Sequence, residues 1–189
     1  MRDVSEIEAR LADQGVATLH DPAPESLHLQ KLLGHWKRWC ANRPFPSRQD
    51  VNPGEIRDLL PALMLLEVVN GGEDFLYRIA GSGVVRLSGI EPTGKRLSAL
   101  GNASLISRTQ AYLQTCLQLR APVLFLSQNS IVGHCSFARG ETLLLPLARE
   151  NGSIDHILMG GDILLPEHMG GGSAGLVIGP ARIPVGAMP

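Results

Sequence analysis

Aromatic side chains are scarce in this chain, at 4% of 189 residues, which argues against a stacking platform for single-stranded nucleic acid. A basic surplus is also missing. The formal net charge is −1, whereas a protein that lives on phosphate contacts needs a clear excess of lysine and arginine, so no nucleic-acid partner is expected. No apolar run approaches the roughly 20 residues that span a bilayer, and no membrane partner is expected. The opening residues, Met1 to Glu6, lack the apolar stretch of a signal peptide. Only three cysteines occur, and Cys40, Cys116 and Cys135 match no paired metal or redox spacing. Such a sparse, odd set reads as reduced thiols in the cytoplasm.

What is present suits one core. Hydrophobic residues make up 44% of the chain and charged residues 19%, and the length fits one domain with extensions. A first helix is expected over Ser5 to Gln14, with Ser5 and Glu8 at capping-box spacing and Gly15 as its stop. A loop at Asp21-Pro22-Ala23-Pro24 leads to a second helix, Leu27 to Asn42. Its apolar face carries Leu29, Leu32, Leu33, Trp36, Trp39 and Cys40. Asn52-Pro53-Gly54-Glu55 has the residues of a helix start, and Pro61 ends that segment.

From there the texture turns to strands. Leu63 to Val69 and Phe75 to Ala80 flank Gly71-Gly72 as a hairpin. Helical spacing returns over Ser104 to Leu119. Three further strands are expected at Val123 to Ser127 (with a continuation toward Phe137), Thr142 to Ala148 and Ile154 to Leu165, the last two joined through Asn151-Gly152. The chain therefore divides into an N-terminal helical extension, 1–26, a domain over 27–165, and a flexible Gly/Pro-rich tail, 166–189. Two strands, a helical crossover and three strands make an α+β fold: a five-stranded antiparallel sheet with helices on one face and a natural pocket between the layers.

That order, and several local strings, resemble the PAS fold and in particular the short, mostly stand-alone PAS proteins common in alphaproteobacteria. The strings are Trp39 to Arg43 with Pro46-Ser47-Arg48-Gln49-Asp50, then Leu60-Pro61 and Asp74-Phe75-Leu76-Tyr77-Arg78-Ile79-Ala80-Gly81-Ser82. Gly89, Thr93-Gly94-Lys95-Arg96-Leu97 and Leu144-Leu145-Pro146-Leu147 with Gly152 complete them. Together they cover about Leu27 to Leu165. Ser82 stands where the family usually has threonine, and keeps the hydroxyl. Glycine at Gly81 is read as a backbone need, letting a strand turn into a helix at unusual angles. The resemblance implies a sensory module, often dimeric, that couples its pocket to a partner. With no output domain recognised, the signal is expected to act in trans, through a histidine kinase or another regulator.

Haem needs an axial ligand, and the long helix offers no histidine, only Tyr112 and Cys116, so haem is disfavoured. A flavin-thiol photoreceptor needs a reactive cysteine in a short motif before a helix, and none stands there. His134 and Cys135 are neighbours on a strand and point to opposite faces. His28 and His35 are about 10.5 Å apart along a helix, too far for one metal ion. Gly133-His134-Cys135-Ser136 is no nucleophile elbow, so no catalytic residue is assigned and no metal is expected. A small apolar or aromatic ligand is expected, with Tyr77, Ile79, Tyr112, Leu113, Cys116, Phe125 and His134 as its contacts, and Leu63, Leu65 and Leu145 in the wall. Which strand residues face inward stays open, because a one-residue slip swaps the faces. Ile7, Leu11, Leu32 and Trp36 are the candidate surface for a homodimer or partner. Two alternatives stand beside the sensor: an adaptor whose pocket its own side chains fill, and a small cone-shaped α+β isomerase or dehydratase, for which His134 is the one candidate.

Overall fold

The computed structural model describes residues 3–128, 131–132, 135–136, 139–165 and 172–173. Helix α1 (Val4–Ala12) is capped by Asp3, whose carboxylate accepts the Ser5 N–H, so the cap falls two residues before the serine that the capping-box spacing favoured. Gly15, with φ +73°, turns the chain into a short strand, β1 (Val16–Leu19), which the sequence pattern did not separate from its loop. Helix α2 (Leu27–Cys40) begins at Ser26, whose hydroxyl accepts the Leu29 N–H. The Asn52-Pro53-Gly54-Glu55 segment does not become a helix. Asn52 Oδ1 accepts the Gly54 N–H at 2.9 Å, and the chain continues in turns to a short 3-10 helix, Leu60–Ala62. That is the bond a helix cap makes, but the backbone bonds after it, Glu55 N–H to the Asn52 carbonyl and Leu59 N–H to the Ile56 carbonyl, span three residues, so the segment stays a series of turns.

The hairpin expected at Gly71-Gly72 joins β2 (Leu63–Val69) to β3 (Asp74–Ala80). A short helix, α3 (Ser82–Ser88), and the long α4 (Ala103–Leu119) form the crossover to β4 (Val123–Gln128). A two-residue pair, β5 (Ile131–Val132) with β6 (Cys135–Ser136), precedes β7 (Arg139–Ala148) and β8 (Ile154–Leu165). The β7–β8 hairpin turns at Gly152, with φ +78°. The sheet runs β1-β4-β7-β8-β2-β3, all antiparallel, with β9 (Gly172–Ser173) added to the end of β8. The five expected strands are all present. The N-terminal extension contributes a sixth, which pairs Val16 to Leu19 with Ser127 to Leu124 and covers the edge of β4. Beyond Leu165, the expected tail lies outside the described residues apart from β9.

The sheet is covered on both faces. On one, α1 and α4 pack Ile7, Leu11, Leu113 and Cys116 against Phe75, Tyr77, Phe125, Leu144 and Ile157. On the other, α2 lays Leu29, Leu32, Leu33 and Trp36 over Leu63, Leu65, Leu143, Leu145 and Leu158. This double coverage explains the texture of β7. Leu143 and Leu144 are both wholly buried because successive side chains enter different cores, which leaves no polar alternation to read. Gly160 lets α2 lie close: a Cβ there would meet Leu32 Cδ2 at 2.8 Å. Trp36 Nε1–H donates to the Pro146 carbonyl at 2.9 Å and ties α2 to β7. Ile7, Leu11, Leu32 and Trp36 are thus spent on this chain's own cores, with exposures of 1%, 1%, 0% and 7%. They are corrected as a partner surface, because their amphipathic helices already have a sheet to cover.

Candidate functional site

Among the described residues, an open cleft lies between the sheet and the crossover helices on the α4 face. Its volume is about 150 Å³, close to that of an apolar cavity able to hold one benzene ring. Met64 from β2, Ser127 from β4, Thr142 from β7 and Gly161 and Ile163 from β8 make the floor. Val84 and Leu87 of α3 form one wall, and Arg108 and Tyr112 of α4 the other. Arg108 and Tyr112 are neighbours on α4 because four residues make about one helical turn. Gly161 creates part of the space: a Cβ built there would meet nothing nearer than the Glu141 carbonyl, 3.9 Å away.

Tyr112 stacks on Phe125 with ring centroids 4.1 Å apart and planes 13° apart. Burial pushes the Tyr112 phenol up to about 12, with the Arg108 charge acting in the opposite sense, and burial alone does the same for Tyr77. Both rings are neutral near pH 7. Cys116 is fully buried in α4, its Sγ 3.6 Å from the Ala121 carbonyl, and burial raises its thiol far above the ordinary range. It is a small core residue rather than a thiolate.

Of the expected ligand contacts, Tyr112 lines the cleft. Tyr77, Leu113, Cys116 and Phe125 lie in the core on that same face, packed behind the lining. Ile79 is corrected. A bulge between Leu65 and Leu66 pairs Ile79 with Leu65 and Tyr77 with Leu66, so Ile79 falls on the α2 side of the sheet, where it is 43% exposed. Leu63, Leu65 and Leu145 also belong to the α2 core and leave the pocket wall. His134 lies outside the described residues.

Sequence reasoning missed Arg108, Gly161 and the two small-hydroxyl positions, Ser127 and Thr142. An arginine one turn from a tyrosine reads as a solvated face, and a strand glycine carries no sign of which layer it opens toward. Glu141 and Asp162, paired across β7 and β8, also touch the cleft, but their carboxylates point to the other face. Glu141 accepts the Glu25 and Ser26 N–H groups at 2.9 Å each, and the Ser26 hydroxyl donates to Asp162. Both acids therefore hold the start of α2, where the helix dipole favours negative charge.

A sheet ordered by two strands, a helical crossover and three strands, with a cleft under the crossover helices, is the construction of an α+β sensory module. The chain belongs to the PAS domain family: a family model of that description matches residues 25–160. In that general sense it is a sensory and signalling module. No curated protein sequence matches it. Among solved structures, an RNA-binding light-oxygen-voltage receptor is similar at 15% identity and a TM-score of 0.41, with 77% of this chain aligned. The aligned portion is 37% of that receptor's length. No helix among the described residues is long and apolar enough to cross a membrane.

Proposed function

We propose that this chain is a non-catalytic PAS sensor that binds a small molecule in the cleft beneath α3 and α4 and signals in trans. The receiver would be a second copy of the chain, a histidine kinase or another signalling protein. The observation that carries the reading is the cleft itself: about 150 Å³ of space on an apolar floor, held open by the missing side chain of Gly161. A Cβ at that position would sit at ordinary contact distance from its one near neighbour, so a side chain can be introduced there to fill the cleft.

The test is purification from the native host followed by absorbance and denaturing mass spectrometry. The wild type is expected to carry one small molecule per chain, and Gly161→Phe to fold and carry none. A wild-type protein that is empty, and whose melting temperature no metabolite moves, would overturn the reading in favour of the ligand-free adaptor.

A further inference from the structure

The cleft has one charge that nothing among the described residues answers. Arg108 lines it and is partly buried, yet no hydrogen bond or ion pair joins its guanidinium to any described residue. Withdrawing a cation from water without a partner is unfavourable. The acids nearest in the lining do not neutralise it. Glu141 and Asp162 face α2 on the opposite side of the sheet, occupied by Glu25 and Ser26. The space beside Arg108 is otherwise apolar or weakly polar: Met64, Ile163, Val84, Leu87, Tyr112 and two hydroxyls. Ser127 Oγ–H donates to the Gly140 carbonyl, so its proton is already engaged.

On the reading that the cleft holds a ligand, we infer that this ligand is a small monocarboxylate with an apolar body of about one ring, bound through Arg108. The guanidinium fork matches a carboxylate through two parallel N–H···O bonds. The apolar body lies over Gly161 between Met64 and Ile163, and the space there suits one ring or a short branched chain. A neutral aromatic molecule would fill the same space and leave Arg108 desolvated and unpaired. A compact polyanion would answer the charge and leave the apolar floor uncovered. Only an amphipathic anion satisfies both walls.

The test uses the full chain and calorimetric titration with three acids (benzoate, phenylacetate and 4-methylpentanoate) against their neutral amides. At least one acid is expected to bind about tenfold or more tighter than its amide. Arg108→Gln removes the charge while keeping a shorter polar side chain, and should bring acid and amide to equal affinity. Arg108→Lys should retain part of the preference, and Gly161→Leu should exclude both. The melting temperature of each variant, measured without ligand, checks that it folds. Amides that bind as well as the acids, or a preference that survives Arg108→Gln, would overturn the carboxylate assignment and leave the pocket reading standing. If no acid binds, the assignment also falls. The co-purified molecule then decides the pocket reading separately, since a neutral ligand removed by Gly161→Phe would sustain it.

Discussion

Gly81 shows at the scale of one residue how a motif glycine serves a need other than the one its neighbours suggest. The sequence reading assigned it unusual backbone angles for a strand-to-helix turn. Its φ and ψ are −62° and 142°, open to any residue. The constraint is contact: a Cβ would sit 2.3 Å from the Leu60 carbonyl oxygen and 2.4 Å from that of Pro61. Those are backbone atoms and cannot swing aside. Gly81→Ala should therefore cost about 2–4 kcal/mol, in the range of overpacking and strain, and denaturant unfolding measures it. A loss no larger than a surface substitution would mean that the Leu60-Pro61 turn gives way easily. Gly94, by contrast, has φ +79° and carries its glycine for backbone freedom. A chain of letters shows both glycines alike, because neither contact nor dihedral is written in it.

At the scale of elements, the attachment of α2 rests on more than its apolar stripe. Its first turn is held by two buried carboxylates from adjacent strands, Glu141 at 1% exposure and Asp162 at 3%. Two like charges side by side are unfavourable unless donors surround them. Here the Glu25 and Ser26 N–H groups, the Ser26 hydroxyl and the Ile163 N–H supply those donors. Glu141→Ala should cost about 2–4 kcal/mol, since it leaves two buried N–H groups without an acceptor. Glu141→Gln should cost less, because one oxygen remains to accept. Hydrogen exchange should report the Glu25 and Ser26 amides opening first in the alanine variant. Unchanged exchange there would show that water or a neighbour replaces the carboxylate.

The elements were largely legible beforehand. The stripe from Leu29 to Cys40, the Gly71-Gly72 and Asn151-Gly152 turns and the long spacing of α4 are local signals, and each placed its element within a few residues. Strand β1 was not legible: four residues of mixed polarity at an edge carry too little pattern. Nor was the face each strand residue takes. β2 and β7 are apolar on both sides, and the bulge at Leu65 and Leu66 reverses the alternation that would have put Ile79 in the pocket.

For the whole molecule, the two tyrosines offer a readout of the core that spans the cleft. Tyr77 and Tyr112 are the only tyrosines in the chain, and both are buried with phenols raised to about 12. In an unfolded chain a phenol titrates near 10. A group whose folded pKa is raised contributes stability that is complete below the unfolded value and is lost as pH climbs toward the folded one. Stability should therefore fall between about pH 10 and 12, and the phenolate absorbance should rise together with the loss of helical signal. Phenolate appearing near pH 10 while the fold stays intact would mean that one ring is open to solvent. A bound carboxylate in the cleft should delay the transition, since ligand binding to the native state alone stabilises it.

The sequence by itself determined the order of elements, the family and the existence of two apolar helix faces, because each depends on spacing within one segment or on a string of neighbouring residues. Tertiary structure alone decided which core each face enters and that Ile7, Leu11, Leu32 and Trp36 are interior. It also decided that Gly161 opens a cleft while the adjacent Gly160 closes a helix contact. Those outcomes depend on atoms brought together from distant segments. Arg108 is the sharpest case: on its helix it looks like a solvated charge, and it becomes a cation unanswered among the described residues only where β2, β4, β7, β8 and α3 meet around it.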